Sequence, residues 1–231
     1  MADASGRDQY RVWIDPNGEV WIEDPDRGAL PLLEALQPGF RFAGTAWVVP
    51  PALLGRTRRI PAPQPWPEDL DGLWALHDWL LEAEPGERGE GPSLLDLKRA
   101  IAQRLVRSCV LCEHRCGVDR PAGERGRCKV GAQSYFGEAY VHQGEEREIA
   151  PSLCVALTGC SWHCLYCHTH DLINRVDRGT PLAPAAYDDL YAKATAPEVR
   201  TLSFVGGNPD HHLVAILDFL AAAPDAFDRP I

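Results

Sequence analysis

Cysteine is absent from most of this chain, and long apolar runs are absent from all of it. All eight cysteines lie between Cys109 and Cys167. No run of about 18 apolar residues is present, which is the shortest length expected of a membrane-spanning helix. The N-terminus, MADASGRDQY, lacks the apolar core of a signal peptide. These absences predict a cytoplasmic protein that has no membrane partner.

Positive charge is also scarce. Lysine and arginine together number 23, against 33 aspartates and glutamates, and the net charge is −10. Because nucleic-acid-binding surfaces are usually basic, this composition argues against a nucleic-acid partner. In a reducing compartment, clustered cysteines are expected to be metal ligands or catalytic groups rather than disulfides.

The uneven placement of the cysteines divides the chain into three predicted parts. Residues 1–92 form a variable N-terminal region of α+β type, residues 93–150 form a helix followed by a cysteine-rich metal-binding element, and residues 151–231 form an α/β unit. Six of the seven tryptophans lie in the first part. They are Trp13, Trp21, Trp47, Trp66, Trp74 and Trp79.

Local patterns predict the elements of the first two parts. The segment YRVWIDPNGEVWIED predicts two strands around a hairpin turn at residues 15–18, and GTAWVVP predicts another strand. Apolar residues at helical spacing predict a helix over residues 67–82. Ser93 and Asp96 resemble a capping box, so a second helix is expected to begin at Ser93.

The third part alternates strand and helix. CVALTG predicts a buried strand, residues 184–195 a helix, and TLSFVGG a second strand over residues 201–207, after which Asp210 is expected to cap another helix. This order is typical of a parallel sheet covered by helices, and it predicts the start of a (βα) barrel.

Cys160, Cys164 and Cys167 follow the first of these strands with C-x3-C-x2-C spacing. Three thiolates on one loop can bind three irons of a [4Fe–4S] cluster and leave the fourth iron open. S-adenosylmethionine can chelate that iron, and one electron then cleaves a C–S bond to release a 5′-deoxyadenosyl radical. The alternatives are inert core cysteines, or a zinc site completed by a histidine. The histidines considered for that role are His142, His163, His168, His170 and His211.

A glycine motif, Gly206-Gly207-Asn208-Pro209, follows the second predicted strand. With the cysteine motif, it makes the chain resemble the radical SAM superfamily. In that family the residue before the third cysteine lies near the adenine, and a G-G-E-P motif binds the amino group of S-adenosylmethionine. The resemblance implies that Tyr166 and residues 206–209 contact S-adenosylmethionine. Asn208 replaces the usual glutamate, so its amide oxygen would accept a hydrogen bond from the ammonium without an ionic component.

The segment HQGEEREIAPSLCVALTGCSWHCLYC resembles uncharacterised radical SAM proteins related to pyruvate formate-lyase-activating enzyme, and the likeness covers residues 105–225. It implies an oxidoreductase that abstracts hydrogen from an unknown substrate, which by analogy could be a partner protein. An electron donor such as a flavodoxin or a ferredoxin is also implied. A radical SAM core has six βα units, but only two fit after Cys167, with residues 229–231 resembling the start of a third strand. The expected fold is therefore a partial barrel. Either the chain is truncated, which the incomplete third strand favours, or another polypeptide completes the barrel, or this member of the family is degenerate. The chain alone is expected to be poorly active.

Four further cysteines lie upstream: Cys109, Cys112, Cys116 and Cys128, with C-x2-C-x3-C-x11-C spacing. Four thiolates suit structural zinc and also an auxiliary [4Fe–4S] cluster. His114 could replace one cysteine, and a reduced set without metal is a third alternative. Proteins that the chain resembles carry the same element, but the spacing does not assign its metal.

Other residues near the motifs have simpler expected roles. Cys154 is expected to be a buried, inert thiol. His163, His168 and His170 are expected to be loop residues or supports of the ligands rather than ligands, and one of them could donate a proton or touch substrate. Glu145 and Glu146 are expected to be solvated rather than bound to substrate. His211 and His212 are expected in the first turn of a helix. The rival to an enzyme is a non-catalytic metal-binding or interaction module in which both cysteine sets are structural.

Overall fold

The computed structural model describes residues 11–14, 20–24, 28–31, 41–43, 46–48, 57–84, 86, 91–144, 149–227 and 229–231. Two small antiparallel sheets come first. Strands β1 (Arg11–Ile14), β2 (Val20–Asp24) and β3 (Gly28–Pro31) form one sheet, and β4 (Arg41–Ala43) pairs with β5 (Ala46–Val48). The pairing of β1 with β2 confirms the predicted hairpin strands, whose turn lies outside the described residues.

Two helices follow, and both were predicted. Helix α1 spans Leu70–Leu81, and α2 spans Leu94–Leu105. The backbone N–H of Ser93 donates to Asp96 Oδ2 at 2.9 Å, which confirms the capping box. The facing apolar sides of α1 and α2 form a small core with Ile60. A 3₁₀ turn at Val106–Ser108 then leads to Cys109.

The main sheet has four strands: β6 (Tyr135–His142), β7 (Ser152–Leu157), β8 (Thr180–Pro181) and β9 (Thr201–Gly206). Their order across the sheet is β8-β6-β7-β9. Strands β7 and β9 are parallel, whereas β6 is antiparallel to both β7 and β8. Every residue of β7 is buried, as expected for a central strand covered on both faces.

Helices connect and cover these strands. Helix α3 (His170–Asn174) follows the cysteine motif, α4 (Pro184–Ala194) links β7 to β9, and α5 (Leu213–Ala222) follows β9. The aromatic rings of Tyr191 and Phe219 join α4 to α5 with centroids 4.5 Å apart. The core of this unit thus lies between the sheet and its helices.

Two sequence expectations meet a different structure, and a third is not tested. Asp210 does not cap α5, because a 3₁₀ turn at Pro209–His212 comes first and His212 occupies the cap position. Residues 229–231 form no strand, although the N–H of Leu202 on β9 donates to the Pro230 carbonyl at 2.9 Å. The described strands form an open mixed sheet, and no closed barrel is found among them. The partial barrel therefore stays a prediction.

None of the helices in the described part of the chain has both the length and the apolar character needed to cross a membrane.

Candidate iron–sulfur site

The loop that carries the cysteine motif, here the cluster loop (residues 158–167), starts where β7 ends. Thr158 fixes its start, because the Thr158 N–H donates to the Tyr135 carbonyl at 3.0 Å and its hydroxyl donates to the Val176 carbonyl at 2.7 Å. Both partners are backbone groups on neighbouring segments. The first cysteine is thereby held at the carboxyl end of a central strand.

The three motif cysteines differ in exposure. Cys160 is 9% exposed, Cys164 is exposed, and Cys167 is partly exposed. The Cys167 N–H donates to the Cys164 carbonyl at 3.1 Å, and Cys167 Sγ lies 3.3 Å from the Thr169 hydroxyl. Two thiols therefore face outward on a tight turn, and the third anchors the loop.

The loop also presents large apolar side chains to solvent. Trp162 is 61% exposed, Tyr166 is 88% exposed, and Leu165 is fully exposed. Large exposed apolar patches are rare on monomeric soluble proteins, and where they occur they mark contact with a ligand or a partner.

Gly206 and Gly207 bring the end of β9 against the cluster loop. The Gly207 N–H donates to the Leu157 carbonyl at 2.8 Å. Gly206 has φ +84°, and a Cβ there would lie 2.8 Å from the Leu157 oxygen. A Cβ on Gly207 would collide with the Gly159 carbonyl oxygen. Both positions need glycine for this close approach.

One open cavity of about 650 Å³ joins the two motifs. Of the predicted site residues, Cys164, Cys167, Tyr166 and Gly206 line it. Cys160 lies below the surface of the loop, and Gly207, Asn208 and Pro209 stand beside the cavity rather than in its wall. Asn208 Nδ2 instead lies 3.3 Å from Asp210 Oδ2. The structure thus brings the cysteine motif and the start of the glycine motif together.

Strand β6 supplies a cavity wall that sequence reasoning missed. Glu138, Tyr140 and His142 all line the cavity, and their alternate spacing places them on one face of the strand. The rings of Tyr140 and His142 meet edge to face with centroids 6.2 Å apart. The period-two polar pattern was the available signal, but only the antiparallel pairing of β6 with β7 shows that it faces the cluster loop.

The four other cysteines lie on an upstream cysteine element (residues 109–130). Cys109 and Cys128 are each 4% exposed, whereas Cys116 is exposed. The backbone folds back on itself, with the Cys109 N–H donating to Val118 O at 2.9 Å and the Gly117 N–H donating to Cys109 O at 3.0 Å. Burial raises the pKa of the Cys128 thiol, and the nearby thiols of Cys109 and Cys112 act in the same direction.

Within this element, Cys116 packs against the returning chain. A Cβ on Gly126 would lie 2.7 Å from Cys116 Sγ, and the Arg127 N–H donates to the same sulfur at 3.5 Å. The third cysteine of the predicted set therefore lies against the segment that leads to the fourth, and the four-cysteine metal site stays a prediction.

The upstream cysteine element is docked on the cluster loop. A Cβ on Gly159 would lie 2.9 Å from the Cys128 carbonyl oxygen, and Gly159 itself has φ +77°. Arg127 Nε donates to the Ser161 carbonyl at 3.1 Å. The two cysteine sets therefore belong to one packed unit.

A second link between them runs through His211. Arg120 Nη1 donates to the His211 carbonyl at 2.6 Å, and Arg120 Nη2 lies 3.5 Å from Cys128 Sγ. His211 Nε2 in turn lies 3.0 Å from the Ser161 hydroxyl.

His211 and His212 are each 1% exposed, and they occupy the 3₁₀ turn rather than the predicted first turn of a helix. Burial, with the charge of Arg120 acting in the same direction, lowers the pKa of both imidazoles to about 4.

The remaining expectations have mixed outcomes. Cys154 is buried as predicted, but it also lines the cavity. His163, His168 and His170 are exposed on or next to the cluster loop, and His168 lines the cavity. Glu145 and Glu146 lie outside the described residues.

The thiols of the motif suit an iron–sulfur group chemically. Among the described residues, no three Cys, His, Asp or Glu side chains are placed to hold one metal ion. No disulfide links any of the eight cysteines, all of which lie in the described part. Soft thiolate donors suit iron–sulfur clusters, and the wide cavity leaves Cys164 and Cys167 accessible to one.

Comparison with known proteins decides the class of the cofactor. Residues 151–228 match the family model of a 4Fe-4S single cluster domain, and this range contains Cys160, Cys164 and Cys167. The chain contains a 4Fe–4S cluster-binding domain. An iron–sulfur protein was therefore the right prediction at this coarser level.

A curated relative extends beyond that domain. An uncharacterized protein of Methanocaldococcus jannaschii is 33% identical over 166 residues, which cover 66% of this chain and 48% of the relative. The chain thus spans about half the length of the curated relative it matches. No solved structure matches the chain.

Proposed function

We propose that this protein is a radical SAM enzyme, an oxidoreductase in which Cys160, Cys164 and Cys167 hold a [4Fe–4S] cluster with one open iron for S-adenosylmethionine. The observation that carries the proposal is the shared cavity. Two of the cysteines line it together with Tyr166 and Gly206, which come from separate motifs. Ligands of α/β sheets commonly bind at the carboxyl ends of parallel strands, where both motifs lie.

When bound, the cluster would supply the electron that cleaves a C–S bond of S-adenosylmethionine. The residues of the chain would bind S-adenosylmethionine and orient it for that cleavage. Gly206 and Gly207 would let the backbone approach the amino group, and the Asn208 amide oxygen would accept a hydrogen bond from it. Tyr166 would lie against the adenine.

The β6 wall is the proposed substrate side. Glu138, Tyr140 and His142 face the cavity from the side opposite the glycine motif, so they would contact the group that loses hydrogen. The substrate would be a small molecule or a segment of a partner protein, and the electron donor a flavodoxin or a ferredoxin in the cytoplasm. The open β7–β9 pair would be the start of a partial (βα) barrel.

Anaerobic reconstitution with iron and sulfide tests the proposal. We expect brown protein, an EPR signal that shifts when S-adenosylmethionine is added, and 5′-deoxyadenosine on reduction. Cys164→Ala should abolish all three. Cys154→Ala is the matched control, because it removes a thiol of the same domain outside the motif and should keep its iron.

A colourless zinc protein whose metal content does not change in Cys164→Ala would contradict the proposal. That result would support a structural metal-binding module. If the protein binds iron but S-adenosylmethionine does not shift the EPR signal, the proposed cluster would be supported and the proposed SAM chemistry would be contradicted.

We also propose a second metal on the upstream cysteine element, either zinc or an auxiliary [4Fe–4S] cluster. The support is the four-cysteine set, in which Cys109 and Cys112 lie close enough to Cys128 to raise the pKa of its thiol, and Cys116 packs on the returning chain. In the described residues no three of these side chains are placed to hold one ion, so they would have to turn together on binding. Elemental analysis of Cys112→Ala should show loss of one zinc or of a second set of irons. Unchanged metal content would show that this set stays reduced and empty.

A further inference from the structure

A second cavity lies behind the cluster loop, and the proposed reaction does not use it. It measures about 270 Å³ and lies between the end of α2, the upstream cysteine element and the start of α5. Its floor is buried and consists of Val106, Arg120, Ser134, His211 and His212. Its rim is exposed and includes Gln103, Arg107 and Ala132. We call it the arginine–histidine cavity.

Four buried side-chain nitrogens in its floor have no hydrogen-bond partner within the described part of the chain. Besides the two ring nitrogens of His212, they are Arg120 Nε and His211 Nδ1, and these two residues are 3% and 1% exposed. The other nitrogens of both groups are engaged, with the His211 carbonyl, Cys128 Sγ and the Ser161 hydroxyl. Proteins rarely leave buried polar atoms unsatisfied, so a group in the cavity is expected to meet them.

The charge of the cavity is locally the reverse of the charge of the chain. Two arginines line it, and no aspartate or glutamate does, although the net charge is −10. Arginine is only a donor, and a neutral imidazole can donate one N–H. The walls therefore offer donors and positive charge to an acceptor-rich guest.

We propose that the arginine–histidine cavity binds a small oxyanion, either inorganic phosphate or a short carboxylate. The guanidinium groups of Arg107 and Arg120 suit both. The volume is slightly below that of typical sites for drug-sized ligands, which favours a guest of few atoms. This proposal does not depend on the radical SAM proposal, because the cavity is separate from the one that the motif cysteines line.

A bound oxyanion would also fix the link between the two cysteine sets. It would accept hydrogen bonds from Arg120 and His211, and these two residues also contact Cys128 and Ser161. We therefore expect anion binding to slow amide hydrogen exchange in residues 158–161, at the start of the cluster loop.

The test is calorimetric titration of the full-length protein with sodium phosphate and, separately, with sodium acetate, each against sodium chloride at matched ionic strength. We expect saturable binding of at least one oxyanion. Arg107→Gln should weaken it about tenfold, because a charge-assisted hydrogen bond is lost. Arg178→Gln is the matched control, since it removes an exposed arginine outside the cavity and should leave the affinity unchanged.

A second variant, Ala132→Asp, adds a carboxylate at the exposed rim and should abolish binding. Phosphate binding without acetate binding would identify a phosphate site, and the reverse a carboxylate site. No saturable binding of either anion would overturn the proposal. Equal affinities in Arg107→Gln and Arg178→Gln would overturn it as well, since they would show binding elsewhere on the surface.

Discussion

The two cysteine regions are packed together, yet they expose their thiols in different ways. The cluster loop buries only Cys160 and leaves Cys164 and Cys167 at the wall of a cavity of about 650 Å³. The upstream cysteine element buries Cys109 and Cys128, and Arg120 lies 3.5 Å from the Cys128 sulfur. The cluster loop is open to a ligand at two of its three thiols, whereas the upstream element encloses Cys109 and Cys128 and exposes Cys116.

That difference matches two uses of metal in proteins. Catalytic sites keep a coordination position open, and structural sites are enclosed by protein ligands. The family match covers the open region and stops short of the closed one. The 4Fe–4S domain therefore contains the cluster loop and not the upstream element, which packs behind it.

The contact that supports the cluster loop most directly is the approach of Gly207. Gly207→Ala should destabilise the protein by about 3 kcal/mol, because the new Cβ would collide with backbone at Gly159. Urea unfolding would measure this. Gly91→Ala is the control, since nothing lies within 4 Å of its Cβ position, and it should change stability by less than about 0.5 kcal/mol. Equal effects would show that the loop is not held here.

The histidines between the two regions predict a pH effect. The pKa of His211 and of His212 falls from 6.5 to about 4 on folding. The unfolded chain then binds more protons between those values, so stability is present above pH 6.5 and falls as the pH drops towards 4. From pH 7 to 5 we expect a loss of about 2 kcal/mol for each imidazole.

Urea unfolding at both pH values measures this loss. A variant with His211→Gln and His212→Gln should be less stable at pH 7 but show a flatter pH profile. A profile as steep as that of the wild type would assign the effect to other groups.

The difference in thiol exposure predicts that, in the protein without metal, substitution of a buried cysteine lowers stability more than substitution of an exposed one. Cys128→Ala should cost about 1 kcal/mol, because Cys128 packs against Val130 and Val176. Cys164→Ala should cost almost nothing there, since that side chain is exposed. Thermal unfolding under reducing conditions compares the two. A larger loss for Cys164→Ala would reverse the distinction between the open and the closed region.

The smallest effect is expected at an exposed ion pair. Arg125 Nη1 and Nη2 each donate to Asp177 at 2.8 Å, joining the upstream element to the segment after α3. Both side chains are about half exposed, so the pair should contribute only about 0.5 kcal/mol. Arg125 lowers the pKa of Asp177, so this contribution should fade as the pH falls through the acidic range.

A double-mutant cycle with Arg125→Gln and Asp177→Asn isolates the pair. High salt should reduce the coupling energy. A coupling above about 2 kcal/mol would show that this link is a main support between the regions.

Sequence reasoning recovered the local features well. Helices α1, α2 and α4, strand β9 and the Ser93–Asp96 capping box depend on residues close together in the chain, where spacing and capping chemistry suffice. It missed the 3₁₀ turn before α5 and the role of β6. Both depend on partners far away in the sequence, namely the hydrogen bond from Arg120 to the His211 carbonyl and the pairing of β6 with β7.

The sequence by itself determined the donors: three cysteines on one short loop, four more upstream, and two glycines after a strand. Their identity and spacing are local, and thiolate chemistry makes iron–sulfur binding the natural reading. Only the tertiary structure decided which thiols are open and which are closed. It also placed Tyr166 and Gly206 in the wall of one cavity and linked Arg120 through His211 to Ser161 of the cluster loop. Such contacts depend on strand pairing and packing between distant segments, which spacing along the chain does not contain.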